Sequence, residues 1–166
     1  MKKIIFSIVF ISVLLAGCGG SPKPKADNTK AKTITVTNFS DAMGKSWKLI
    51  DVRIDDRSIA FDRKALETEK AGDIFTLMFD GGNVSGTGSP NRYSAPFEAG
   101  EGNEISIKLV RSTLMAPLFE PEKLREYDYF IYIQNVSEWN LVDNNLELTS
   151  KNENESKIVL VFSVNN

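Results

Sequence analysis

The sequence predicts an α+β, mostly β domain: an antiparallel sheet of about 7–8 short strands curled into a partly open, barrel-like form, with one helix. Three observations predict it. Apolar residues alternate with period two in short runs, as in Phe75, Leu77 and Phe79 or Ile158, Leu160 and Phe162, which is the pattern of strands with one buried face. Clusters of Gly, Asn, Asp, Ser and Pro separate these runs and turn the chain. One stretch, residues 121–134, carries the apolar spacing of a helix.

The first element is a leader. Lys2 and Lys3 form a basic start, and residues 4–15 are an apolar run too short to span a bilayer, which reads as a secretory signal. The run ends Leu15-Ala16-Gly17-Cys18 and resembles the bacterial lipoprotein lipobox in every position. The resemblance implies cleavage before Cys18 and acylation of that cysteine with chains such as palmitate. Two or three acyl chains would give lasting membrane attachment. With Cys18, the sole cysteine, so engaged, no disulfide forms in the mature domain. By likeness to lipoprotein sorting in diderm bacteria, Gly19 in place of Asp implies the outer rather than the inner membrane. The expected organisation is a signal peptide over 1–17, a lipidated cysteine and flexible tether over 18–42, and a folded domain over 43–166. Pro22 and Pro24 stiffen the tether, which has low hydrophobicity and no periodic pattern.

The domain opens on Trp47, Leu49, Ile50, Val52 and Ile54, a strand whose phase changes at Leu49 and Ile50, as two-sided burial or a bulge would require. Residues 55–72 are read as a connecting excursion; Ala60 and Phe61 fit a short strand, and 63–70 tolerates a helix but is poor in apolar residues. The Phe75 strand turns at Asp80-Gly81-Gly82-Asn83, where glycine admits the positive φ of a primed hairpin turn. Residues 83–88 form the return strand. A Ser89-Pro90-Asn91 corner leads into the strand of Tyr93, Ala95 and Phe97, and a turn over 100–103 into one of Ile105, Ile107 and Leu109. In the predicted helix, Pro121 occupies the first turn, Glu122 favours the N-terminus, and Leu124, Tyr127, Ile131 and Gln134 share a face; residues 129–133 alone also fit a buried strand. Three further strands carry Trp139 and Leu141, then Leu146 and Leu148, then Ile158, Leu160 and Phe162, with the helix closing one end of the barrel or its gap.

Composition removes several classes of function. The formal charge is −2, or −2 − 2 = −4 without Lys2 and Lys3, and no basic stripe marks a nucleic-acid surface. The chain has no histidine, so His-dependent triads and imidazole metal sites are absent. Gly81-Gly82 and Gly86-Thr87-Gly88 lack the Lys-Ser or Lys-Thr and the helix of a phosphate loop, and are read as turns. The oxygen-rich runs 143–145 and 153–155 lack calcium-loop spacing. No nucleophile-elbow or Ser-x-x-Lys signature is present. No catalytic residue, cofactor or metal is therefore expected. Asn91 is read as bracing its corner through side-chain to backbone bonds, with Asn91, Arg92 and Tyr93 together the candidate recognition corner. Trp47, Phe75, Phe79, Trp139 and Phe162 are read as core.

The order Trp47-x-Leu49, Phe75-Thr-Leu-Met-Phe79, Val84-Ser85-Gly86, Asn91-Arg92-Tyr93, Ser112-Thr113-Leu114-Met115-Ala116, a helix containing Glu126, and Leu146-x-Leu148 resembles the META domain of heat-inducible HslJ-like lipoproteins and secreted proteins, over nearly all of residues 45–162. The resemblance implies a β-rich, barrel-like sheet with a helix, similar to the lipoprotein pilots of type III secretion secretins; it implies no established activity. Many members carry cysteines where this chain has Pro90 and Pro117, so a bridge or metal pair there does not transfer. The expected function is that of a monomeric, non-enzymatic, lipid-anchored envelope protein that binds or maintains another envelope component, with a stress-related role. The partners are the membrane and an envelope protein, without nucleic acid. The alternative is a small carrier holding an apolar ligand or acyl chain within the barrel; large inward residues such as Phe75, Phe79 and Ile107 weigh against it, while Gly86 and Ala95 leave space.

Overall fold

The structure is a computed structural model that describes residues 38–59, 61–68, 71–116, 121 and 123–165. The leader, Cys18, the tether up to residue 37, Ala60, Pro117 and Glu122 lie outside the described residues.

A 3-10 turn, η1 (Phe39–Asp41), opens the described chain and is fixed by a reciprocal pair of bonds between Asn38 and Asp41. The strands that follow are β1 (Trp47–Ile54), β2 (Arg57–Ser58), β3 (Thr76–Asp80), β4 (Asn83–Thr87), β5 (Arg92–Ala99), β6 (Ile105–Ile107), β7 (Arg111–Ser112), β8 (Glu138–Val142), β9 (Asn145–Lys151) and β10 (Lys157–Val164). Two helices interrupt them, α1 (Arg63–Thr68) and α2 (Glu126–Gln134). The main sheet runs β6-β5-β4-β3-β1-β10-β9-β8, with every named ladder antiparallel. Its two ends meet: Glu104 bridges Glu138, Ile105 N–H donates to Ser137 O at 3.1 Å and Trp139 N–H to Asn103 O at 2.9 Å. This seam is a bridge rather than a ladder, so the barrel is nearly closed.

Alternation decides what fills the barrel. Trp47, Leu49, Val52, Phe75, Leu77, Phe79, Val84, Tyr93, Ala95, Leu146, Leu148, Ile158, Leu160 and Phe162 are all buried in one cluster. The phase change in β1 is a bulge: pairing with β10 slips between Leu49 and Asp51, leaving Ile50 as the extra residue. Each end of the barrel has its own stopper. At one, Phe39 packs against Phe79, Phe97 and Trp139 at centroid distances of 5.1, 5.4 and 5.1 Å. At the other, α2 inserts Tyr129 and Ile133. The folded structure thus takes in Phe39 and the buried Ala42, which the expected boundary at residue 43 assigned to the tether.

Four expectations need correction. The helix begins at Glu126 rather than near Pro121, and Leu124 reaches the core from a separate turn in which its N–H bonds Pro121 O. Its buried face is Tyr129 and Ile133, four residues apart, while Tyr127 is 64% exposed. Residues 63–68 form a second helix, stabilised less by an apolar stripe than by one buried arginine, Arg63, together with Leu66. Leu109 leaves the sheet and is 66% exposed: the last ladder bond runs from Lys108 N–H to Pro96 O, Pro96 has no N–H to return it, and Val110 N–H goes instead to the Gln134 side chain. Finally, Gly86 is expected both in the return strand 83–88 and, with Thr87 and Gly88, in a turn; it lies in the strand.

Candidate functional site

The corner before β5 is where three separate segments of the chain are tied together. Gly88 N–H donates to Asn91 O at 2.6 Å, which tightens residues 88–91 into a loop. Glu126, the first residue of α2, reaches into that loop. One carboxylate oxygen, Oε1, accepts the backbone N–H of Asn91 at 2.7 Å and that of Ser89; the other accepts Asn91 Nδ2 at 2.6 Å. No side chain caps α2 at its N-cap, Arg125. The first turn is therefore held from outside the helix, by charge-assisted bonds to a loop 35 residues away.

Asn91 passes the tie onward. Its Oδ1 accepts Met115 N–H at 2.7 Å and the Thr113 hydroxyl at 2.8 Å, while Nδ2 also donates to Met115 O at 3.1 Å. Corner, loop and helix form one knot through a buried amide, so the reading of Asn91 as a brace matches its contacts.

Under the knot lies a hydroxyl triangle. Tyr93 and Tyr129 both donate to Thr76 O, at 3.0 and 3.1 Å, and their oxygens stand 3.1 Å apart. Burial pushes both phenols above the ordinary tyrosine range. The space beneath is filled by backbone and side chains. A Cβ on Gly86 would stand 1.9 Å from Thr76 O, and one on Gly88 would stand 2.6 Å from Glu126 Oε1 and 2.7 Å from the Phe130 ring. Gly86 therefore marks close strand contact rather than cavity space.

Arg63 is the second clasp. Nε donates to Leu49 O at 2.7 Å, Nη2 to Ile74 O at 3.0 Å and Nη1 to Gly72 O at 3.3 Å. The guanidinium also lies 5.4 Å from the Phe61 ring centroid. Burial lowers its pKa, and Glu67 opposes that shift. The segment it grips leads to Phe75, whose φ of 51° turns the chain sharply into β3.

Of the three corner residues, only Arg92 is exposed; Asn91 and Tyr93 are buried and hydrogen-bonded within the fold. Cys18 lies outside the described residues. The residues that composition and periodicity did not single out are Arg63 and Glu126. Among the described residues no group of three His, Cys, Asp or Glu side chains could hold a metal ion. The knot's polar atoms are taken up in positioning, and it presents no activated nucleophile paired with a base.

A nearly closed antiparallel barrel, stoppered by a helix whose first carboxylate grips an Asn corner, defines a small β-barrel domain with a buried polar knot at one end. The chain belongs to the META domain family, whose model matches residues 41–163. META is not a known enzyme family. No curated protein matches the chain. Solved structures share the fold, two of them as follows. A Burkholderia xenovorans protein determined by NMR is 18% identical with a TM-score of 0.58, the alignment covering 86% of this chain and 99% of that one. A DUF4847 family protein from Bacteroides vulgatus is 16% identical with a TM-score of 0.52, covering 76% of this chain and 96% of that one.

Proposed function

We propose that this protein is a non-enzymatic, lipid-anchored cell-envelope protein, acylated at Cys18, whose META domain binds or helps maintain another envelope component. A stress-related role and an outer-membrane location in a diderm host complete the reading. The observation that carries it is the order of a basic start, a short apolar run and Leu15-Ala16-Gly17-Cys18 ahead of a META domain. The side-chain-filled interior, with Trp47, Phe75, Phe79, Phe162 and Tyr129 fully buried, favours this reading over the carrier.

The test is mass spectrometry of the protein purified from its own membranes. An N-terminal peptide starting at Cys18 with the added mass of two or three acyl chains is the expected result, together with release of a Cys18→Ser form from the membrane fraction. An unmodified Cys18 in the mature protein would sink the anchor. Native mass spectrometry of the same preparation tests the carrier: a bound mass of lipid size that is lost on denaturation would restore that alternative.

A further inference from the structure

The outer face of β3, β4, β5 and β7 differs in chemistry from the opposite wall. Ladder pairing sets Met78, Ser85, Ser94 and Arg111 in one row across these strands, and Thr87, Arg92 and Thr113 in the next. Leu77, Phe79, Val84, Tyr93 and Ala95 face inward, so these rows face out. Arg92 and Arg111 are diagonal neighbours on them, about 7–8 Å apart. Both are exposed, and neither has an ion pair among the described residues. Residues 105–116 contain no acid, although the chain as a whole carries a charge of −2. On the opposite wall, by contrast, Arg53 is engaged by Glu147 at 2.7 Å and Asp51 at 3.5 Å.

Next to these cations stands an apolar tip. Leu114 is 98% exposed and Met115 53%, an unusual presentation for adjacent large apolar side chains. The tip's backbone is held: Asn91 binds both the N–H and the carbonyl of Met115, and Thr113 N–H donates to Arg92 O at 3.0 Å. The two side chains are thus displayed from a braced backbone, which reduces the ordering cost of contact.

We propose that this face is a docking surface for an anionic lipid bilayer, with Arg92 and Arg111 on headgroup phosphates and Leu114 and Met115 entering the boundary of the acyl region. Apolar tips beside unpaired cations fit such an interface, and residues 105–116, which carry Arg111 and the tip, hold no acid to oppose it. The outward acids of these strands, Asp80 and Glu98, lie further along β3 and β5, Glu98 paired with Lys108 at 2.9 Å. The contact belongs to the protein surface and does not depend on an acyl chain at Cys18.

The compact unit Thr35–Asn166, whose core is complete within itself and which lacks Cys18, is the form to test. Its co-sedimentation is measured with phosphatidylcholine vesicles made with and without phosphatidylglycerol. Binding is expected with phosphatidylglycerol, weakening as salt is raised. Arg92→Ser with Arg111→Ser should weaken it about thirtyfold, and Leu114→Ser about tenfold. Unchanged thermal midpoints would exclude unfolding as the cause. Binding to neither vesicle, equal binding to both, or binding unmoved by these variants would overturn the proposal and leave the face to a protein partner. Because this form carries no acyl chain, failure here leaves the anchor at Cys18 to its own test.

Discussion

Glu126 Oε2 lies 2.6 Å from Asn91 Nδ2, and the same carboxylate takes the Asn91 backbone N–H at 2.7 Å. One side chain thus fixes both the start of α2 and the corner that leads into β5. Glu126→Ala should destabilise the domain by about 3 kcal/mol, since it strands partly buried N–H donors as well as removing charge-assisted bonds. Asn91→Ala should cost a similar amount, and the double variant much less than the sum, because the two share their bonds. Urea unfolding of the four proteins checks this; additive losses would show that the knot does not act as a unit.

Gly86→Ala should be more damaging than its single added methyl implies. The methyl would meet Thr76 O at 1.9 Å, and neither strand can yield without breaking the bonds that Tyr93 and Tyr129 make to that oxygen. A loss of more than about 3 kcal/mol is expected. Gly44→Ala is the control: no atom lies within 4 Å of its added Cβ, although its φ of 67° adds backbone strain of its own. Thermal midpoints of the two variants separate close approach from strain.

Arg63→Lys should fail to rescue Arg63→Ala. The guanidinium spans three separated carbonyls through Nε, Nη1 and Nη2, a fork that one ammonium cannot reproduce. Both variants should lose about 2–4 kcal/mol. Hydrogen exchange should report the loss first at the amides of β1 and of the segment leading to Phe75.

Alkaline pH should unfold the protein through its hydroxyl triangle. Tyr93 and Tyr129 have folded pKa values raised by burial. Their contribution is therefore complete below the unfolded value near 10 and is lost as pH rises from there toward the folded values. The slope should be about 1.4 kcal/mol per pH unit for each tyrosine. Tyr129→Phe should remove that residue's share of the slope, leaving those of Tyr93 and of Tyr132, which burial also raises, and cost about 1 kcal/mol at neutral pH. Stability measured by denaturant from neutral to strongly alkaline pH decides it; an unchanged slope would contradict burial as the cause.

What was legible in the sequence is what repeats locally. Phe75, Leu77 and Phe79 state their own burial because a strand shows alternate residues to the core. Leu49 beside Ile50 breaks that rhythm, as two-sided burial or a bulge would, and only the pairing with β10 decides for the bulge. That Asn91 braces its corner was legible too, since a short amide next to a turn has few other uses, but its partners Thr113, Met115 and Glu126 were not. The remaining features depend on partners far along the chain. Arg63 is buried against carbonyls, which leave no mark in a side-chain pattern. Glu126 starts α2 through Asn91, so the local signal from Pro121 and Glu122 pointed too early. Tyr127 and Tyr129 are alike in composition, and only the position of Thr76 O determines which goes inside. Gly86 is small because of a strand ten residues away, which no turn rule encodes.

The first long strand pairs with the last. β1 lies between β3 and β10, with Trp47 opposite Val164 and Ile54 opposite Ile158. For a chain that leaves the ribosome N-terminus first, the sheet cannot close around β1 until β10 has emerged. Until then Leu49 and Val52 lack their neighbours Phe162 and Leu160, and the slow, non-local pairing of the sheet waits for that strand. The order of strands thus acts as a timer: β1 is made early, and its place in the sheet is settled only when β10 arrives.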